Sequence, residues 1–114
     1  MILVVDDNSS LREALVAVLE DSGHQAVGAS DGKAALTYAR QHPVGILITD
    51  LIMPGQEGLE TIRQFDKEFP LIPIIAMSGK PDYLPMARML GAAIVLAKPI
   101  RPASLLQAVG SLID

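Results

Sequence analysis

The sequence contains no cysteine. That removes disulfides, thiolate metal sites and cysteine nucleophiles, and it is consistent with a reducing compartment. Aromatic residues make up 4% of the chain while hydrophobic residues make up 50%, so the core must be aliphatic. There is no excess of basic charge: 9 Lys and Arg face 13 Asp and Glu, for a formal net charge of -4. That balance argues against nucleic-acid binding by this chain. No apolar run reaches the ~20 residues that a membrane span needs. Met1 to Val5 runs straight into Asp6-Asp7, which leaves no room for the apolar region of a signal peptide. We therefore expect a soluble cytoplasmic protein that binds neither nucleic acid nor membrane. With 114 residues the expectation is one domain, 1–114, able to bury one hydrophobic core without staples.

What is present is organised around residues 43–55. Val44 to Ile48 is short, rich in β-branched residues and without alternation, as a strand buried on both faces would be. Asp50 stands where that strand leaves the sheet, and Pro54 and Gly55 force a loop. Ahead of it, Ile2 to Val5 is another buried strand, ended by Asp6-Asp7-Asn8. Ser10-Leu11-Arg12-Glu13 has capping-box spacing and predicts a helix start. Leu11, Ala14, Leu15, Val18 and Leu19 then mark one helical face, and Gly23 ends it. His24 to Ala29 is a weaker strand containing Gly28, suited to a sheet edge. Ser30-Asp31-Gly32 opens a second helix with Ala35, Leu36 and Ala39 inward.

After the central strand the pattern repeats. A third helix runs roughly from Glu57 to Phe69, and Ile72 to Met77 is a fourth strand closed by Ser78-Gly79. A fourth helix follows Lys80-Pro81-Asp82, carries Pro85 in its first turn and ends at Gly91. Ala92 to Ala97 is a fifth strand ending in Lys98-Pro99. Pro102 opens a last helix with Leu105, Leu106, Val109, Leu112 and Ile113 inward. Aliphatic strands alternating with amphipathic helices predict an α/β fold: a doubly wound (βα)5 flavodoxin-like domain whose parallel sheet is covered on both faces. Ligands bind such sheets beyond the carboxyl ends of the strands. Those ends carry Asp6 and Asp7, Asp50, Ser78 and Lys98, and a strand order 2-1-3-4-5 sets them side by side.

Three converging carboxylates repel one another, and a hard divalent cation relieves that repulsion. Mg²⁺ suits an all-oxygen set with several waters retained. A neighbouring lysine and a hydroxyl supply donors for an oxyanion, most simply a phosphoryl group. A carboxylate in that setting can attack phosphorus and become an aspartyl phosphate.

These segments together resemble the receiver domain of two-component response regulators, chemotaxis regulators included. Ile2-Leu3-Val4-Val5-Asp6-Asp7 is similar to the family's first strand and acidic pair. Asp50-Leu51-Ile52-Met53-Pro54-Gly55-Gln56-Glu57-Gly58 is similar to its phosphorylation loop, Ala76-Met77-Ser78-Gly79 to its Thr/Ser switch segment, and Ala97-Lys98-Pro99 to its Lys-Pro motif. Each segment alone is weak; all of them, in order and each after an apolar strand, are specific, and they span the chain.

The resemblance implies Asp50 as phosphoacceptor. It implies Mg²⁺, with Mn²⁺ as a substitute, on Asp7, Asp50 and the backbone carbonyl of Ile52, with Asp6 acting mainly through water. Ser78 and Lys98 would bind the phosphoryl group, and the Lys98–Pro99 bond would be cis. The implied partners are a sensor histidine kinase or histidine phosphotransfer protein as donor, and a downstream protein or attached output domain as target. Such a domain catalyses only its own phosphorylation and dephosphorylation and is not a conventional enzyme. One position departs from the family, which often has Tyr or Phe three residues before the lysine. Here that residue is Val95. Switching would then rest on the Ser78 loop and the fourth helix, or the conformational response would be small.

Plainer roles exist for each residue. Asp6-Asp7 could simply favour a helix start, Asp50 and Ser78 could be turn formers, and Lys98 a solvated lysine. His24 and His42 have no ligand spacing. The rival function is a receiver-like protein-interaction module that is not phosphorylated, for which Val95 is the hint. A flavin-binding relative of the same fold would want a glycine- and hydroxyl-rich loop after the first strand, where Asp6-Asp7-Asn8 would repel a phosphate.

Overall fold

In the computed structural model, which describes residues 1–51 and 57–113, the aliphatic runs form a parallel five-stranded sheet. Its strands are β1 (Ile2–Val5), β2 (Ala26–Ala29), β3 (Ile46–Asp50), β4 (Ile74–Ser78) and β5 (Ile94–Ala97). Their order is β2-β1-β3-β4-β5, as the pattern of strand ends predicted. Every residue of β1, β3 and β4 is buried, whereas β2 and β5 are mostly half-exposed. This is the burial of inner and edge strands in a sheet covered on both faces.

The helices are α1 (Ser9–Asp21), α2 (Gly32–Gln41), α3 (Glu57–Glu68), α4 (Leu84–Leu90) and α5 (Pro102–Ile113). Successive strand residues point to opposite faces, and the core divides accordingly. Ile2, Val4, Ile48 and Met77 pack with Leu15 and Leu19 of α1 and Leu105 and Val109 of α5. Leu3, Val5, Leu47 and Ala76 pack with Leu36 of α2, Ile62 and Phe65 of α3 and Ala87 of α4. Met77 is thus a core residue, while Met86 and Met89 on α4 are 46% and 87% exposed.

Several local details differ from the sequence reading. The N-cap of α1 is Asn8, not Ser10: Leu11 N donates to Asn8 Oδ1 at 3.0 Å, and Ser10 lies inside the helix. Asn8 has the extended backbone that a cap requires, and Asn is among the best caps. Ala14 is exposed, because it lies about 100° round the helix from Leu15, at the margin of the stripe. Ile113 is 53% exposed, and Ala108 is buried on the inner face instead. The i, i+3, i+4, i+7 stripe of α5 runs through Leu105, Ala108, Val109 and Leu112.

The segment Pro81–Tyr83 is a 3₁₀ turn that precedes α4. Helix ends follow expectation: Gly23 and Gly91 have φ of +92° and +125°, a region where glycine carries no steric cost. β3 begins later than expected, and Asp50 itself belongs to the ladder, paired with Met77. Val5 pairs with Thr49, and Ser78 with Ala97. This register brings the residues that end β1, β3, β4 and β5 to one edge.

Candidate functional site

At that edge the acidic pair is split in character. Asp6 is fully buried, while Asp7 is exposed. Asp6 is anchored on all sides. Its N–H donates to Ala29 O at 3.2 Å, and its Oδ1 accepts from Asn8 N at 2.9 Å. Its carbonyl accepts from Arg12 Nη1 at 2.7 Å, and its Oδ2 accepts from Lys98 Nζ at 3.2 Å. Asp50, at the end of β3, is 3% exposed, and its Oδ1 lies 3.3 Å from the same Lys98 Nζ. One carboxylate oxygen each from Asp6, Asp7 and Asp50 can be chosen so that all lie within 4.8 Å of one another.

Three carboxylates and one ammonium, which contacts two of them, leave the cleft formally negative. An all-oxygen donor set of that sign fits a hard divalent cation. Asp6, Asp7 and Asp50 would hold it. The Ile52 carbonyl, expected as a further ligand, lies outside the described residues, as do residues 53–56 of the expected phosphorylation loop.

Lys98 reaches the site from the end of β5. Its N–H donates to Ser78 O at 2.8 Å, and the Lys98–Pro99 peptide is cis. Ser78 is buried, but its hydroxyl serves its own turn: Oγ donates to Lys80 O at 3.1 Å and accepts from Lys80 N at 2.9 Å. The plain turn-hydroxyl role is therefore the one Ser78 plays in this conformation. Val95 pairs with Ala76 and packs half-buried on the core cluster of Ala76 and Ala87, so this position offers no aromatic ring.

Two residues near the site lie in motif segments but had no role of their own from the sequence. Arg12 is one. Gly58, in the first turn of α3, is the other: a Cβ there would collide with the Asp50 and Leu51 carbonyls and with Leu51 Cα. The helix start thus rests directly on the backbone that ends β3. A glycine inside a helical pattern costs about 1 kcal/mol relative to alanine, and that cost was the available signal.

Comparison with known proteins agrees with this architecture. A sequence profile described as the response regulator receiver domain matches residues 2–110. The chain belongs to that family. Among relatives, this receiver is 32% identical to Protein PilH of Pseudomonas aeruginosa over 116 residues, covering 98% of this chain and 96% of PilH. It is 36% identical over 104 residues to Response regulator GtcR of Aneurinibacillus migulanus, covering 89% of this chain but 42% of GtcR. It thus spans less than half of some curated relatives and nearly all of another. The receiver domain of NtrX from Brucella abortus superposes with a TM-score of 0.94 at 26% identity, covering 99% of this chain and 98% of that one. Chemotaxis protein CheY4 of Vibrio cholerae gives 0.91 at 28% identity, covering 98% and 97%. Among the described residues of this receiver, no helix is long and apolar enough to cross a membrane.

Proposed function

We propose that the chain is a single cytoplasmic receiver domain, 1–114, that accepts a phosphoryl group on Asp50. The donor is a phosphohistidine on a sensor histidine kinase or histidine phosphotransfer protein. The observation that carries this reading is the convergence of Asp6, Asp7 and Asp50 oxygens within 4.8 Å, with Lys98 Nζ shared between Asp6 and Asp50. An Asp50 carboxylate oxygen attacks phosphorus, the P–N bond breaks, and the imidazole leaves with its electron pair and takes up a proton. The product is an acyl phosphate.

Asp7 and Asp50, with the Ile52 carbonyl and with Asp6 mainly through water, would hold Mg²⁺ or Mn²⁺, which would supply charge neutralisation for the carboxylates and the phosphoryl oxygens. Lys98, already at Asp50, exchanges a carboxylate oxygen for a phosphoryl oxygen. Ser78 must give up its bonds to Lys80 before its hydroxyl can reach the phosphoryl group. That exchange links the β4–α4 turn to the state of Asp50. The surface that changes is α4, β5 and α5, and it carries the exposed Met86 and Met89. Its reader is a downstream protein or an attached output domain. Hydrolysis of the acyl phosphate resets the domain, which acts on itself and turns over no separate substrate.

Val95 favours one second reading, an interaction module that keeps the fold without phosphorylation. Intact mass after incubation with acetyl phosphate separates the two. The phosphoacceptor reading expects a single phosphoryl adduct that requires Mg²⁺ and is lost with EDTA. No adduct from acetyl phosphate or from a cognate kinase, in folded protein, favours the interaction module.

A further inference from the structure

We propose that Arg12 is a positioning residue for the acidic pair, and that Gly28 is the seat that lets it act. The inference rests on the reading of Asp6, Asp7 and Asp50 as a divalent-cation site. Arg12 extends from the first turns of α1 and donates from Nη1 to the Asp6 carbonyl at 2.7 Å. A guanidinium bond to a carbonyl is charge-assisted and short. The stem of Arg12 runs over Gly28 in the edge strand β2. A Cβ at Gly28 would stand 2.9 Å from both Cγ and Cδ of Arg12 and 3.3 Å from Nε. No side chain larger than hydrogen fits there while the arm keeps its course. A glycine inside a strand often marks such a close approach.

The contact matters because of what the held carbonyl joins. The Asp6 carboxylate is fixed by Asn8 N and Lys98. The next residue, Asp7, is exposed. Its direction is set by the peptide that links it to Asp6, and the carbonyl of that peptide is the one Arg12 grips. Arg12 thus aims the Asp7 carboxylate toward Asp50 without touching the phosphoryl group. Groups that orient metal ligands in this way typically account for about 10–100-fold in metal affinity.

The test is Mg²⁺ titration of the wild type, Arg12→Met, Gly28→Val and the double variant, alongside urea unfolding and the amide NMR signals of Asp7 and Asn8 in metal-free protein. Arg12→Met keeps the stem and loses the donor. Gly28→Val replaces a poor strand former with a good one, so it disturbs the arm without weakening the strand. We expect Arg12→Met to weaken Mg²⁺ binding about tenfold, Gly28→Val to weaken it in the same direction, and the double variant to be no weaker than Arg12→Met alone, since both act through one contact. The Asp7 and Asn8 amides should shift in each.

Unchanged Mg²⁺ affinity in Arg12→Met overturns the proposal. So does tighter binding, the result if Arg12 acted only as a repelling cation, and so do additive effects. If the wild type itself takes no Mg²⁺, the reading of the site fails, and the metal-free amide shifts decide on Arg12: unmoved Asp7 and Asn8 signals overturn it. Arg12→Lys, which keeps the long stem, the charge and a terminal donor, should restore part of the affinity lost in Arg12→Met, and no restoration counts against the carbonyl contact.

Discussion

Lys98 Nζ lies 3.3 Å from Asp50 Oδ1, although β4 stands between β3, which carries Asp50, and β5, which Lys98 follows. The same ammonium reaches Asp6 Oδ2 at 3.2 Å. The two carboxylate side chains are 1% and 5% exposed, and that of Lys98 is 24% exposed. A cation at the mouth of the cleft therefore offsets two buried negative charges. Lys98→Met should destabilise the fold in EDTA by about 1–3 kcal/mol, because it removes a charged donor from the buried Asp6 and Asp50 carboxylates. Mg²⁺ should return part of that loss. Urea unfolding with and without the ion checks this, and equal stability of variant and wild type in EDTA would count against the coupling.

Gly58 should tolerate no side chain. A methyl group there meets the backbone of Asp50 and Leu51, and backbone cannot swing aside as a flexible side chain can. Gly58→Ala should lower stability by about 1–3 kcal/mol, the usual cost of overpacking, even though alanine is the better helix former. It should also slow phosphoryl acceptance by displacing the end of β3. A stability gain in urea unfolding would show that helix propensity outweighs the clash.

Ser78 has a resting partner to lose. Its hydroxyl holds Lys80 N and Lys80 O, so Ser78→Ala should cost about 1 kcal/mol through the turn alone. In the wild type, phosphoryl acceptance should shift the Lys80 amide signal as the hydroxyl departs. In Ser78→Ala that shift should be largely absent while the adduct still forms. An equal Lys80 shift in both proteins would separate Ser78 from the response of this turn.

At the far end of α2 and α3, Arg40 and Glu68 form a two-point ion pair at 2.6 and 2.8 Å. The hydrogen bond from Arg40, with its charge, holds the Glu68 carboxyl below its ordinary value. The Arg40 guanidinium is raised in turn, by the bond to Glu68 and by its charge. A carboxylate depressed in the folded state contributes stability that is present above its unfolded pKa and is lost as pH falls through the folded value. The difference between wild type and Glu68→Gln should therefore persist at neutral pH, begin to fade at the ordinary carboxylate value and vanish only below the depressed value of Glu68. The pair is exposed, so the difference should be small and should shrink with salt. Urea midpoints across that pH range test it, and a difference that grows on acidification would contradict the assignment.

The fold was legible because each inner strand is an unbroken aliphatic run and each helix has a period near 3.6. The candidate site was legible because its polar residues fall just where those runs stop. Asp6, Asp50, Ser78 and Lys98 all stand at or just beyond a strand end, and the parallel register gathers them. Finer choices were not legible. Asn8, Ser9 and Ser10 can each cap a helix, and only the backbone conformation decides that Asn8 does so. Gly28 and Gly58 act by the absence of a side chain against a neighbour distant in sequence, and Arg12 by reaching a backbone carbonyl. None of these leaves a periodic trace. The hydroxyl of Ser78 shows the same limit: its motif suggested a phosphoryl ligand, while its bonds in this conformation belong to a turn.

As the proposed phosphoacceptor, Asp50 can be identified chemically. Borohydride reduction of the acyl phosphate, followed by peptide mapping, reads the acceptor directly, since a phosphorylated aspartate is converted to homoserine. Conversion should occur at position 50 alone, depend on Mg²⁺ and a phosphodonor, and be absent from Asp50→Asn. Conversion at Asp6 or Asp7 in the wild type, or none in protein that carries the adduct by mass, would contradict it.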